Sequence, residues 1–556
     1  MLALVNIIDK DGFYVIIAFM KIAFVSVESG LHTIGFRKMA SLTRKYYGNA
    51  DVLYISPNNF YSSLHLLKVY IKNEVIPNMI DEGNLEIIAS SLSKYDMLAF
   101  SSMTSFSDLT KTIISKVKKL RKDVFILWGG IHPIIHPNDA INFADAICVG
   151  EGETAFINFI SRFENGKSYD DTKNFWFNIK GKIIKNDFLP LHTPEELGSF
   201  PFPLYANDEK IFENKIGFVP CELEHYLQYN NLSYYMIWSI GCPHKCIYCS
   251  NSKFIKNDAN YRKIRYPSVD YIIEEVKNVL SKHPHISTIC FSDDGFIGIP
   301  YNILQEFAIK WREKVNVPFV VYGLQPANIR KDKVELLVWA GMIRVRMGIQ
   351  SGSDRILKFY KRTTSCDQIR RATNIISGYS RYMEPPSYDI ILDNPIENQQ
   401  DVQDTIRLIY DLPRPFILNI FSLAVIPNTE LAFEFERLGI SAKSIKDSYT
   451  KILPSFANVL VHLSTIARIP SKLLNYLLKF AKPYSESQVY FPNLLFIVRF
   501  FFYFKRLIEY VVHFDYSVLG GKFGYFLWKT GIINKYKEMR DRRISKELVF
   551  PLNKPL

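Results

Sequence analysis

The segment Ser239-Ile-Gly-Cys242-Pro-His-Lys-Cys246-Ile-Tyr-Cys249-Ser250 packs three thiols into eight residues, directly behind a run that reads as a strand, Met236–Ser239. The other four Cys of the 556-residue chain, Cys148, Cys221, Cys290 and Cys366, lie scattered. An odd number of Cys at this length is no disulfide scaffold, and three crowded thiols suit a metal in a reducing compartment. Two metal chemistries fit them. A cubane cluster has four irons, each wanting a thiolate, so three Cys would leave one iron open to a small chelating molecule. Zinc could instead take the three Cys and His244. His244 sits inside the loop, two residues from each flanking Cys, which is poor geometry for chelation.

Downstream of the thiols, apolar runs alternate with helical spacing. Strands are expected at Met236–Ser239, Thr288–Ser292, Phe319–Tyr322, Arg344–Ile349, Tyr388–Leu392 and Ile417–Ala424, with helices such as Ser268–Ser281, Lys331–Ala340 and Gln400–Leu412 between them. Six such repeats predict a partial (β/α)6 barrel, two units short of a full one. Upstream, strands at 21–27, 51–55, Met97–Ser101, Val124–Leu127 and Ala146–Val149 alternate with helices, predicting a Rossmann-like parallel sheet with its ligands beyond the carboxyl ends. The α/β chain therefore divides into an N-terminal extension (1–20), a Rossmann-like domain (21–165), a linker with little regular structure (166–235), the barrel core (236–450) and a helical, aromatic and basic C-terminal region (451–556).

Cys-x3-Cys-x2-Cys with Tyr248 before its last Cys resembles the radical S-adenosylmethionine (SAM) superfamily. Later segments are similar too: Phe291-Ser-Asp-Asp-Gly-Phe296, Met347-Gly-Ile-Gln-Ser-Gly-Ser-Asp354, Tyr388–Thr405 and Ala424–Leu431. The resemblance implies a [4Fe–4S] cluster on Cys242, Cys246 and Cys249, and SAM held by Tyr248, Asp293, Gln350, Ser351 and Gly352. Gln350 stands where the family commonly has Glu; an amide can both donate to and accept from a ribose.

The N-terminal domain resembles cobalamin-binding domains fused ahead of a radical core. The matching residues are Ser101–Thr104, Trp128-Gly129-Gly130-Ile131-His132 and Ala144–Glu153. The resemblance implies contacts to cobalamin from Ser102, Thr104, Gly129, Gly130, His132, Gly150, Glu151 and Gly152. His32 and Gly35 sit where some cobalamin domains carry Asp-x-His-x-x-Gly, but Gly30 occupies the Asp position. Without that Asp to orient the imidazole, His32 is not expected to ligate cobalt.

The chain is basic, with a formal charge of +13. Nucleic acid, an anionic membrane surface and anionic cofactors would all suit such a charge; no nucleic-acid-binding fingerprint is present, so no nucleic acid is expected. No apolar run reaches the ~20 residues of a membrane span, which favours a cytoplasmic protein. Residues 490–515, YFPNLLFIVRFFFYFKRLIEYVVHFD, combine aromatic and basic residues. A helix packed on the barrel is the favoured reading, with a membrane-interface helix as its rival.

The resemblances imply an enzyme that uses the cluster, SAM and cobalamin to transfer a methyl group to an unactivated carbon. Its partners would be a small-molecule or lipid substrate and an electron donor such as flavodoxin or ferredoxin. The alternatives are a cobalamin-dependent cyclase, oxygenation or rearrangement enzyme similar to the anaerobic porphyrin cyclases, and a non-catalytic zinc-stabilised protein.

Overall fold

A computed structural model describes residues 3–8, 14–48, 50–58, 65–74, 80–441, 449–487, 489–518 and 521–548. Two compact units emerge. One is built from residues 1–59, 77–192 and 199–226, the other from 60–76, 193–198 and 227–556.

In the first unit, β1 (Ala3–Ile8) and β2 (Tyr14–Phe19) form a separate antiparallel hairpin within the expected extension. The main sheet has nine strands. Its parallel centre consists of β3 (Ile22–Val27), β4 (Ala50–Ile55), β5 (Met97–Ser101), β6 (Phe125–Gly129) and β7 (Ala146–Cys148), ordered β4-β3-β5-β6-β7. Every residue of β3 is buried, as expected for a parallel strand covered on both faces. Val25 and Val27 join one core, while Phe24 meets Phe36 and Phe156 edge-on at 6.1 and 5.7 Å.

The linker expected at 166–235 is corrected by the structure. β8 (Phe175–Ile179) and β9 (Lys182–Lys185) pair antiparallel on the β7 edge, while β10 (Lys210–Glu213) and β11 (Gly217–Pro220) extend the β4 edge. These strands are only four or five residues long, and β9 and β10 begin with Lys, so their periodicity is faint. Tertiary pairing forms them.

A buried ion pair holds the β10 side in place. Arg37, on helix Ile34–Tyr47, donates through Nη1 to both oxygens of Glu209 at 2.9 Å, and neither side chain is exposed. The hydroxyls of Tyr54 and Tyr226 also donate to Glu209, at 3.2 and 3.0 Å, and the Tyr205 ring lies 3.8 Å from the guanidinium.

The second unit holds β12 (Ser233–Met236), β13 (Thr288–Phe291), β14 (Phe319–Leu324), β15 (Met342–Gln350), β16 (Ser387–Leu392) and β17 (Ile417–Ser422). All are parallel and pair in chain order, with helices between successive strands. This is the expected six-unit partial barrel. Phe291 and Phe319 pack with Phe307 and Trp311 of helix Tyr301–Lys314, closing one face with aromatic rings. β12 ends at Met236, where the sequence reading began its strand.

Beyond residue 450 the described residues form helices Phe456–Ile466, Ser471–Leu478, Pro492–Val512, Gly521–Lys529 and Ile532–Glu547. Pro492–Val512 packs inward through a narrow stripe, with Leu495 and Val498 in one cluster with Ile452 and Val459: Leu495, Val498, Arg499 and Phe502 are its buried residues. Arg499, the charge that interrupts the apolar run, donates to the carbonyls of Tyr70 and Val69 at 2.7 and 2.9 Å.

Arg37→Met strands the Glu209 carboxylate in a dry site, and should cost about 3–5 kcal/mol, read by urea unfolding. A cost under about 0.5 kcal/mol would mean that β10 is not part of this core.

Candidate functional site

The thiol loop leaves the second sheet at its carboxyl end. The Asp293 side chain, just past β13 and buried, accepts from the backbone N–H of Trp238 at 3.2 Å and of Ser239, and from the Ser239 hydroxyl at 2.6 Å. Those N–H groups are therefore unavailable for a strand ladder, which is why β12 stops early. Gly241 follows with φ +113°, so close to the chain that an added Cβ would lie 2.3 Å from the Lys263 carbonyl oxygen. Only glycine accommodates that approach. Ile240 bridges to Arg265, and Cys242 donates its N–H to the Tyr261 carbonyl. Cys249 leads into helix Asn251–Asn257.

Burial pushes the Cys242 thiol up to about 11 and Cys249 to about 12, so these thiols release their protons only to a bound cation. Asp293 is likewise raised to about 7 by burial, against the hydrogen bonds it accepts.

Several neighbours of the thiols come from distant segments. Gln325, the first residue after β14, directs Nε2 at the Cys246 sulfur at 3.9 Å, while its carbonyl oxygen is buried with no partner among the described residues. Arg362, also buried, donates to the Tyr248 hydroxyl at 2.8 Å and to the Gly348 carbonyl at 2.6 Å. Tyr248 meets Tyr360 edge-on at 5.0 Å. His244 has both ring nitrogens engaged, with Asn328 and Thr363 at 3.2 Å each, and burial lowers it to about 4. A neutral, doubly bonded imidazole is poorly placed to complete a zinc site. Among the described residues, no three His, Cys, Asp or Glu converge as ligands of a single ion.

The end of β15 carries the remaining expected SAM residues. Gln350 sits at φ +63°, and a Cβ on Gly348 would lie 2.3 Å from the Gln350 amide nitrogen; the amide lies back over a bare backbone. Ser351 and Gly352 turn inward. Thr405 contacts the Ser351 hydroxyl at 3.2 Å and accepts the Gly352 N–H at 2.9 Å, and a Cβ on Gly352 would lie 2.5 Å from the Thr405 Cα. Asp293, Ser351 and Gly352 thus have internal partners that local sequence could not reveal. Sequence reasoning missed Gln325 and Arg362. The place of Gln325 immediately after a strand was a usable signal; Arg362, in Lys361-Arg-Thr-Thr, carries none.

In the first unit, the order β4-β3-β5-β6-β7 reverses direction between β3 and β5, a switch point where such sheets bind ligands. Gly30, with φ +98°, follows β3 and donates its N–H to the Ser56 hydroxyl at 3.1 Å. His32 is held toward its neutral form by burial and by Arg37. After β5, the Ser102 hydroxyl accepts from the Trp128 indole at 3.0 Å, whereas the buried Thr104 hydroxyl has no partner among the described residues. Gly130, at φ +86°, abuts Ser101 and Ser102, so that a Cβ there would lie 2.8 Å from the Ser101 hydroxyl. Gly129, before it, has no neighbour nearer than 3.9 Å to such a Cβ. His132 is buried, contacts Asp139 at 3.0 Å through Nε2 and has no partner for Nδ1 among the described residues; burial lowers it to about 4.

Beyond β7, Gly150 lies against Asn174, Gly152 lies against Met39 and Cys148, and the Glu151 carboxylate contacts His192 at 2.8 Å. The nearest neighbours of all three are thus groups of the protein itself. Unsatisfied buried polar atoms ask for a partner, and Ser26, Thr104 and His132 carry such atoms on or just beyond β3, β5 and β6. They fit a polar ligand at the switch point.

Residues 236–409 match the Radical SAM superfamily, and residues 20–160 match the B12 binding domain. An uncharacterized methyltransferase of Pyrococcus horikoshii is 24% identical over 349 residues, 60% of this chain and 68% of that protein. The anaerobic magnesium-protoporphyrin IX monomethyl ester cyclase of Rubrivivax gelatinosus is 22% identical over 57% of this chain and 54% of its own length. Among solved structures, the cobalamin-dependent S-adenosylmethionine radical enzyme OxsB, with aqua-cobalamin and S-adenosylmethionine bound, superposes with a TM-score of 0.57 at 13% identity. That match covers 95% of this chain and 84% of OxsB. Residues 236–409 thus form a radical SAM domain, and residues 20–160 a B12-binding domain ahead of it.

Removing Arg362 leaves two part-buried acceptors, the Tyr248 hydroxyl and the Gly348 carbonyl, without their donor. Arg362→Leu should lower stability by about 2–4 kcal/mol in urea unfolding. Arg362→Lys should recover less than half, because an ammonium lacks the planar fork that spans both acceptors.

Proposed function

We propose that this chain is a cobalamin-dependent radical SAM methyltransferase that methylates an unactivated carbon of a small molecule. The observation that carries the reading is the pairing, in one chain, of a three-thiol loop at the carboxyl end of a partial barrel with a doubly wound sheet whose switch point holds buried hydroxyls with no partner among the described residues. The likeness to the Pyrococcus methyltransferase supports methyl transfer, and the likeness in fold to OxsB supports the use of cobalamin and SAM together.

Cys242, Cys246 and Cys249 would hold a [4Fe–4S] cluster. Gln325 would donate a hydrogen bond to the Cys246 sulfur, and Tyr248, fixed by Arg362, would shield the cluster from water. Asp293 and Gly241 position the loop. Gln350 would present its amide to SAM, with Ser351 and Gly352 setting the turn behind it. Thr104 and His132 would bind the polar edge of cobalamin. Ser102, Gly129, Gly130, Gly150, Glu151 and Gly152 would shape its bed. His32, without an orienting Asp, would leave cobalt unligated by the protein. When bound, the cluster with SAM supplies hydrogen-atom abstraction, and cobalamin supplies a transferable methyl group. A flavodoxin or ferredoxin would donate the electrons.

Anaerobic reconstitution with iron, sulfide and hydroxocobalamin should give about four irons and one cobalt per chain, and incubation with SAM, substrate and reduced flavodoxin as electron donor a product in which a methyl replaces hydrogen. Cys246→Ala should lose iron and keep cobalt. Thr104→Val removes an unsatisfied buried hydroxyl, so it should leave stability within about 1 kcal/mol and weaken cobalamin retention roughly tenfold. Iron without cobalt would remove the methyl-transfer reading. A cyclised or oxygenated product would favour the chemistry of the cyclase relative.

A further inference from the structure

The outward face of helix Pro492–Val512 is apolar where a surface helix is ordinarily charged. Its exposed residues recur at helical spacing: Leu494, Phe496 and Ile497, then Phe500 and Phe501, Phe504, Leu507 and Ile508, and finally Val511 and Val512. Phe500, Phe504 and Val511 are 49%, 52% and 64% exposed. The inward stripe of Leu495, Val498, Arg499 and Phe502 already anchors the helix to its own unit, so this second face has no role in that packing. Helix Ser471–Leu478 and the residues after it add exposed Leu473, Tyr476 and Phe480, and Phe523 and Phe526 follow on helix Gly521–Lys529. A monomeric protein rarely exposes an apolar surface of this extent without a partner for it.

Charge identifies the partner. From 467 to 530 the chain has nine Lys or Arg against three Asp or Glu. Among the described residues of that stretch, Arg468, Lys472, Lys479, Lys482, Lys522 and Lys529 are exposed, whereas Glu486 is the one exposed acid. A second copy of the chain would bring the same positive charge against itself. An anionic lipid surface presents the opposite sign, at roughly 1 kcal/mol per basic residue near it, together with an acyl boundary that accepts Phe, Leu and Val. Among the described residues no helix is long and apolar enough to cross a membrane, so the helix would lie in the interface plane.

We propose that the outward face of Pro492–Val512, together with the exposed basic residues of the same C-terminal stretch, docks the enzyme reversibly on an anionic lipid surface. The docking does not depend on the reaction catalysed. The full-length protein should co-sediment with phosphatidylcholine vesicles that contain phosphatidylglycerol, less with phosphatidylcholine alone, and should be partly released by salt. Phe500→Glu with Phe504→Glu should reduce partitioning by at least about tenfold while circular dichroism and iron content stay unchanged. Lys472→Glu with Lys479→Glu, which leaves the apolar face intact, should abolish the preference for phosphatidylglycerol. Wild-type protein that stays in the supernatant with both vesicle types would overturn the proposal. So would a lipid-free dimer, seen by light scattering, that the Phe500→Glu variant converts to monomer.

Discussion

One buried carboxylate ties the candidate chemistry to the fold. Asp293, at the end of β13, takes the N–H groups of Trp238 and Ser239 that would otherwise continue β12, and so turns the chain out of the sheet into the thiol loop. Burial raises the Asp293 carboxyl to about 7, and the three donors work against that rise. The Gly241 backbone then lies against Lys263, and the loop is held from both sides. Gln325 and Arg362 can reach the Cys246 sulfur and Tyr248 because the loop starts from that fixed point.

The same economy of buried polar groups recurs in both units. Arg37 and Glu209 join residues 172 positions apart, Arg362 reaches back 114 positions to Tyr248, and Arg499 reaches 429 positions to Tyr70. Each charge or fork is surrounded by acceptors or aromatic rings, the condition under which a buried cation is tolerated. The exceptions are informative. Hydroxyls such as that of Thr104 have no partner among the described residues at the switch point of the first sheet, where a ligand is expected on topological grounds.

Sequence and structure part company where the determining contact is distant. The six barrel strands were legible because each is apolar and flanked by helical spacing; the first was misplaced because the Asp293 contact lies 55 residues away. The segment 166–235 read as a linker because its strands are only four or five residues long and stabilised by their neighbours. Ser351 and Gly352 matched a motif, yet their contacts run to Thr405, which the motif does not contain.

The sequence by itself determined the α/β alternation, the three thiols and their spacing, and the kinship of both units, because these depend on local order along the chain. Tertiary structure decided which polar groups are satisfied and which are not: that His244 is held by Asn328 and Thr363, that Gln325 faces Cys246, that Ser102 is taken by Trp128 while Thr104 is left over. It also decided which face of the C-terminal helix lies inward. The physical reason is the same throughout. A hydrogen bond or a buried face depends on what meets it across space, and the folded chain sets those meetings at separations that no local pattern records.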